Sequence, residues 1–347
     1  MKKVFVFVSG EHPTLPKAEI HSILEAENVG FRVLELAPRI LRVEVEDDVE
    51  KVCGFLGLRS AYLHVCGVEI FSCEALEEKI LGEAERVDWD LWVSGGSFAV
   101  RVERIGEKKV LPDTLKLERK IGGIILEKKP NLKVNLEKPE KLFFGIASDG
   151  KFVFGLVMPN LPTKSFSART PRKKPFFHPS SLQPKLARCM VNLSRVNRKK
   201  TLLDPFCGTG TILIEAGLMG IESIGVELRE KMVKGAKLNL NHYGVKNAYL
   251  VRADALKLPL THVKHVATDP PYGRAASTLG FPTKNVFEGF LGCMGDVLAR
   301  DGKICLASPK NVNVSGLAEA YGFKVKEKHQ IYVHKSLTRE IVVLEKR

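Results

Sequence analysis

Thr201-Leu-Leu-Asp204-Pro205-Phe206-Cys207-Gly208-Thr209-Gly210-Thr211-Ile-Leu-Ile-Glu-Ala-Gly-Leu218 reads as a short buried strand, a glycine turn and a helix. Glycines in such a turn let the backbone fold back tightly and come close to a ligand. The turn is not Gly-x-Gly-x-x-Gly, because Ile212 and Leu213 follow Thr211. It also lacks the Gly-Lys-Ser/Thr ending of a phosphate loop, so neither a dinucleotide nor ATP is its natural ligand. Strands and helices then alternate to the end of the chain. Ser223–Val226, Ala248–Val251, His265–Thr268 and Lys303–Ala307 read as strands. Helical patterns lie between them, and Phe323–His334 with Glu340–Glu345 reads as a closing antiparallel pair. That order predicts an α/β, doubly wound, Rossmann-like sheet over 201–347.

In such a sheet ligands bind beyond the carboxyl ends of the strands. Acids stand at three of those ends. Asp204 sits in the glycine turn. Glu227 ends the next strand, where a carboxylate can accept both ribose hydroxyls, and Asp254, followed by Ala255, can accept from an adenine amine. A glycine turn for an amino-acid tail, one acid for ribose and one for adenine describe S-adenosylmethionine. The expected contacts are Asp204, Phe206, Cys207, Gly208, Thr209, Gly210, Thr211, Glu227, Asp254 and Ala255.

The fourth strand runs into Thr268-Asp269-Pro270-Pro271-Tyr272-Gly273. The exocyclic amine of a nucleobase is a poor nucleophile, since its lone pair is delocalised into the ring. Asp269 can accept one N–H and the Pro270 carbonyl another, which aims the lone pair at a methyl donor. Consecutive prolines stiffen the loop, and Tyr272 offers a face for a base that has left its stack. Asp269, Pro270, Pro271 and Tyr272 are therefore the expected catalytic residues.

The whole chain has 347 residues, enough for two domains or more. Lys plus Arg number 54 against 40 Asp plus Glu, a net charge of +14, which favours a polyanionic partner over a small neutral metabolite. No run of about 18 apolar residues suggests a membrane span. Met1–Val8 reads as an opening strand because its apolar run is too short for a secretion signal. The seven cysteines include no Cys-x-x-Cys pair, which argues against a zinc site or a disulfide framework. The expected location is a reducing cytoplasm, with no metal. Between Leu161 and Thr201 there are eleven basic residues and no acid, among them Arg169, Arg172, Lys173 and Lys174, a pattern expected to meet phosphates.

The Asp-Pro-Pro-Tyr segment resembles the amino-methyltransferases that modify adenine, cytosine, guanine or a glutamine amide. The N-terminal half narrows that choice. Gly96–Gly106, Leu117–Ile125, Val134–Pro139 and Gly155-Leu156 resemble a THUMP domain, and Gly10-Glu11-His12-Pro13 with Ala18-Glu19-Ile20 is similar to the ferredoxin-like domain that precedes it in RNA-modifying enzymes. End to end, the chain resembles the archaeal tRNA guanine-10 N2-methyltransferases. The resemblance implies an α+β ferredoxin-like domain over 1–55 and THUMP over 56–160. A basic linker and helix over 161–200 and the methyltransferase domain over 201–347 would follow. It implies a THUMP grip on the tRNA acceptor end, with Arg101, Arg104, Arg119, Lys120 and Arg274 joining the basic segment on RNA. It places Phe177, His178, Pro179 and Ser180 near the methionine tail. A single copy of the chain is the expected working unit. The product would be N2-methylguanosine, with the N2,N2-dimethyl product left open. The related guanine-6 enzymes share this layout. A DNA or protein-glutamine methyltransferase and a non-catalytic tRNA-binding protein are the remaining alternatives.

Overall fold

The computed structural model describes residues 2–106, 113–158, 165–272, 282–334 and 337–347. Its contacts divide the chain into two units. One holds Met1–Lys17, Asn28–Leu58 and Tyr62–Pro162, and the other holds Ala18–Glu27, Arg59–Ala61 and Thr163–Arg347.

The elements of the N-terminal half are β1 (Lys2–Val8), α1 (Leu15–Ala26), β2 (Phe31–Ala37), β3 (Ile40–Val45), α2 (Val49–Arg59), β4 (Leu63–Glu74), α3 (Glu77–Arg86), β5 (Ser97–Ile105), α4 (Thr114–Lys128), β6 (Lys133–Val134), β7 (Lys141–Ser148) and β8 (Lys151–Val157). Among the described residues these strands form one sheet of order β2-β3-β1-β4-β8-β7-β5-β6. The divide expected near residue 55 falls inside α2, and the strands on either side of it share this sheet. β4 is the joint: its first half pairs with β1 and its second with β8. A Cβ at Gly155 would lie 2.1 Å from the Val68 carbonyl oxygen and 2.5 Å from the Phe5 ring, so only glycine permits that approach. The apolar face of α4 (Leu117, Ile121, Ile125) packs into an aromatic core with Trp89, Phe98, Phe143, Phe152 and Phe154. Cys53 of α2 and Cys66 of β4 are joined by a disulfide, with Cα atoms 5.8 Å apart. This corrects the reading of the cysteines, since spacing along the chain does not reveal a helix packed on a strand.

The second unit contains α5 (Pro184–Leu193), β9 (Thr201–Asp204), α6 (Thr211–Leu218), β10 (Glu222–Glu227), α7 (Glu230–His242), β11 (Ala248–Arg252), β12 (Val263–Thr268), α8 (Thr283–Val297), β13 (Leu298–Pro309), α9 (Val314–Ala320), β14 (Phe323–His334) and β15 (Leu337–Lys346). Its sheet has the order β11-β10-β9-β12-β13-β15-β14. The first five strands are parallel and β15 runs antiparallel to β13. This is the expected doubly wound sheet with an antiparallel closing pair. Strand order reverses between β9 and β12, which opens a crevice at their carboxyl ends. Leu203, Val266, Phe287, Phe290, Ile304, Leu306 and Val342 fill the core beneath it.

Most of α1 counts with this second unit, and buried polar contacts account for that. The Glu19 carboxylate is fully buried and accepts from the Ser60 hydroxyl, the Ala61 amide and the Asn192 side chain. Arg59, 2% exposed, donates to Glu27, to Asn192 and to the Val196 carbonyl. Buried charge persists only where it is paired in this way.

Candidate active site

The carboxyl ends of β9, β10, β11 and β12 surround a cavity of about 450 Å³. Its wall includes Pro205, Phe206 and Gly208 from the glycine turn, Glu227, Asp254 and Ala255, and Asp269, Pro270, Pro271 and Tyr272. The separate strand-end motifs therefore meet at one place, in a volume ordinary for a small-molecule site.

The glycine turn shows why its residues are small. Gly208 has φ +50° and Gly210 has φ +80°, both in the left-handed region. The Cys207 amide donates to the Val226 carbonyl at 3.0 Å and the Gly210 amide to the Cys207 carbonyl at 2.8 Å. Cys207 itself is buried, and its Sγ fills the space that a side chain at Gly225 would need. Thr209, Gly210 and Thr211 are also buried and stand behind the cavity wall. Asp204 is turned inward too. It accepts from the Thr268 hydroxyl at 2.7 Å and the Phe206 amide at 3.2 Å, and burial pushes its carboxyl up to about 7. Asp204 thus shapes the turn from behind. Glu227, 8% exposed, accepts from the Arg229 amide at 2.9 Å and borders the cavity, and Asp254 accepts from the Leu256 amide at 2.9 Å.

Pro179 and Ser180 line the cavity, together with Ser181, Leu182 and Gln183. Phe177 and His178 do not. Phe177 is 46% exposed, and the His178 ring contacts the Ser180 hydroxyl at 2.7 Å. Desolvation, then the neighbouring Arg229, holds the His178 imidazole below its usual range. The preceding linker is pinned to the glycine turn. Asn239 of α7 accepts from the Phe176 amide and donates to the Phe176 and Thr209 carbonyls.

On the opposite wall, Asp269 Oδ1 is buried and has no hydrogen-bond partner among the described residues. An orphaned carboxylate oxygen costs about 1–3 kcal/mol and is retained where a ligand satisfies it. Burial pushes the Asp269 carboxyl above its usual range, and Arg339 pulls the other way. Arg339 Nη2 lies 3.8 Å from Asp269 Oδ2, and Arg339 Nε donates to the Tyr272 hydroxyl at 2.6 Å. Burial, reinforced by Asp269, keeps the Tyr272 phenol well above its usual range and so neutral.

The sequence reading did not single out Arg339, nor Leu228, Met232, Leu256 and Val286, which supply apolar wall. Arg339 carries no distinguishing sign, since it stands beside Thr338 and Glu340 at the polar start of the closing strand.

The basic linker is only partly a surface. Arg169 and Arg188 both bind the fully buried Glu215, by contacts of 2.7 and 2.8 Å. Lys174 is 5% exposed and its ammonium rests on the Thr211 hydroxyl. Desolvation lowers that ammonium to about 8, against the pull of Glu215. Arg195 is held by Glu25 and Glu327, and Arg198 donates to the Met219 carbonyl. The phosphate contact expected of Arg169 and Lys174 is corrected on this ground: Glu215 of α6 pairs with Arg169, and Lys174 is buried against Thr211. Arg172 and Lys173 are exposed. In the other unit Arg119 is exposed and Arg104 is half-buried, whereas Lys120 pairs with Glu77 and Arg101 donates to the Leu136 carbonyl. Arg274 lies outside the described residues.

Two family models match the chain, a THUMP domain at 74–145 and an RMKL-like methyltransferase domain at 171–341. The tRNA (guanine(10)-N2)-dimethyltransferase of Methanothermobacter thermautotrophicus is 39% identical over 99% of both chains. The chain belongs to this family. The tRNA (guanine(6)-N2)-methyltransferase of Methanocaldococcus jannaschii is more distant, at 26% identity over 73% of this chain and 77% of that one. The crystal structure of TrmN from Thermus thermophilus superposes with a TM-score of 0.56 at 22% identity, covering 99% of this chain and 100% of that one, which establishes the shared fold.

Proposed function

We propose that this protein transfers methyl groups from S-adenosylmethionine to the exocyclic N2 of guanosine 10 in tRNA, first to N2-methylguanosine and then to N2,N2-dimethylguanosine. The observation that carries the reading is Asp269 Oδ1, a buried acceptor without a partner among the described residues, on the wall of a cavity that also holds Glu227 and Asp254. The identity to a guanosine-10 enzyme over the full chain supports the position, and that relative's name supports the second methylation.

The residues fit the donor. Glu227 borders the cavity where a ribose diol would donate to it, Asp254 stands where an adenine amine would, and Gly208 and Pro179–Ser181 bound the space left for an amino-acid tail. When bound, the donor supplies an electrophilic methyl on a sulfonium. Asp269 accepts one N–H of the guanine amine and the Pro270 carbonyl accepts another, so the nitrogen lone pair is aimed at that methyl. Tyr272 gives the extruded base a face to stack on. Asp269, or water, takes the proton once the amine has been alkylated. For a second round the remaining N–H keeps one of the two acceptors and the new methyl turns to the open side. The THUMP domain holds the acceptor end, with Arg101, Arg104 and Arg119 as its cationic contacts, while Arg172 and Lys173 meet phosphate near the catalytic unit.

Mass mapping of a tRNA transcript after incubation with the protein and labelled donor tests this reading. Label on guanosine 10 is expected. Label on guanosine 6 would select the alternative target, and label on duplex DNA or a glutamine amide would remove tRNA from the account.

A further inference from the structure

Arg339 belongs to no motif, yet it is the charged group that touches both polar members of the Asp-Pro-Pro-Tyr loop. It enters from β15, opposite Pro309 of β13 and Ile331 of β14. Its side chain is 16% exposed. Nε donates to the Tyr272 hydroxyl at 2.6 Å, Nη2 faces Asp269 Oδ2 at 3.8 Å, and the guanidinium carbon lies 5.8 Å from the Tyr272 ring centre. One planar cation therefore ties a carboxylate to a ring. It leaves Asp269 Oδ1 with no partner among the described residues. A lysine ammonium carries the charge but lacks the fork that reaches two acceptors in fixed directions.

We propose that Arg339 is the positioning residue of the catalytic loop, fixing the Asp269 carboxylate and the Tyr272 ring in the arrangement that receives a nucleobase amine. The inference rests on the methyl-transfer reading above. As a carboxylate Asp269 accepts the amine N–H more strongly and can take the proton released on alkylation. Burial raises its carboxyl and Arg339 is the opposing influence first in size, ahead of Tyr272. The groups facing Asp269 are Arg339 from β15, Tyr272 from its own loop and Asp204 from the end of β9. Without Arg339, Tyr272 is the remaining influence set against burial. The carboxyl then protonates at higher pH, and the acidic limb of activity moves up. Asp204 is coupled to Asp269, so the profiles are repeated in an Asp204→Asn background, where the displacement reports Arg339.

The test measures kcat and KM against pH for the full chain and for Arg339→Met and Arg339→Lys, with S-adenosylhomocysteine binding as the check on folding. Wild-type methylation of guanosine 10 is mapped first. If no exocyclic amine is methylated, the parent reading fails. Given that activity, Arg339→Met is expected to lose kcat on the order of 10²-fold, as misoriented reacting groups do. Its KM for tRNA should stay within about threefold, and its acidic limb should shift upward. Arg339→Lys should restore the limb but leave kcat about tenfold down, because its ammonium cannot hold the ring as well. An unshifted limb with near-normal kcat in Arg339→Met would overturn the proposal. Should Arg339→Met fail to bind S-adenosylhomocysteine, Arg339→Lys decides alone: unaltered kcat would overturn it.

Discussion

Glu215 is the residue on which the linker depends, and its removal has a calculable effect. Its carboxylate is fully buried on α6 and receives Arg169 Nε at 2.7 Å, Arg169 Nη2 at 3.2 Å and Arg188 Nε at 2.8 Å. Lys174 lies close enough to feel its charge. Glu215→Ala takes this carboxylate away from two guanidiniums, themselves mostly buried. Breaking a buried pair from one side costs about 3–5 kcal/mol, most of it the desolvation of the stranded cation. A domain of this size loses about 2–4 °C of melting temperature per kcal/mol, so the drop should fall at roughly 6–20 °C. The same network holds the linker whose continuation, Pro179–Ser181, lines the cavity. Donor affinity should therefore fall along with the melting temperature, and scanning calorimetry with and without S-adenosylhomocysteine reads both. A loss of less than about 2 °C would refute the argument, since it would place the pairs in the energy range of exposed ones.

Other perturbations follow from the same geometry. Glu227→Ala should weaken donor binding by roughly ten- to a hundredfold, the value of charge-assisted hydrogen bonds to a diol, as read by calorimetric titration. Charge reversal at Arg172 and Lys173 should weaken tRNA binding and lower the slope of log K against log salt by about one per lost phosphate contact, measured by filter binding. Lys174→Glu should instead damage stability, because that ammonium is buried. Burial holds Asp204 up to about 7 in the fold, above its unfolded value near 4. Its stabilising proton is fully present below about pH 4 and lost as pH rises through about 7. Wild type should thus lose stability relative to Asp204→Asn between pH 5 and pH 8. Denaturant melts at the two pH values check this, and parallel trends would contradict it.

The sheet of the catalytic unit was legible because each strand ends in a chemically marked turn: Asp204 through Thr211, Glu227, Asp254, and Asp269 through Tyr272. A doubly wound order forces such ends together, so chain order alone predicted their meeting. Contacts set by tertiary packing were not legible. The basic segment contains no acid of its own, so it read as an uncompensated surface. The fold brings Glu215, Glu25 and Glu327 to it from segments far along the chain. Arg339 escaped for the same reason, since its partners lie 67 and 70 residues earlier and only the antiparallel closing strand brings it back. Phe177 and His178 were placed by resemblance. They sit two and one residues before Pro179, where the linker reaches the cavity, and their side chains do not line it.

In the proposed reaction Asp269 and Pro270 receive one chemical group, the N2 amine of guanosine 10. A tRNA transcript carrying inosine at position 10 differs from the natural one by that group alone. With labelled donor, the guanosine transcript should take up two methyls per tRNA and the inosine transcript none. Equal labelling of both would mean that the cavity serves some other atom.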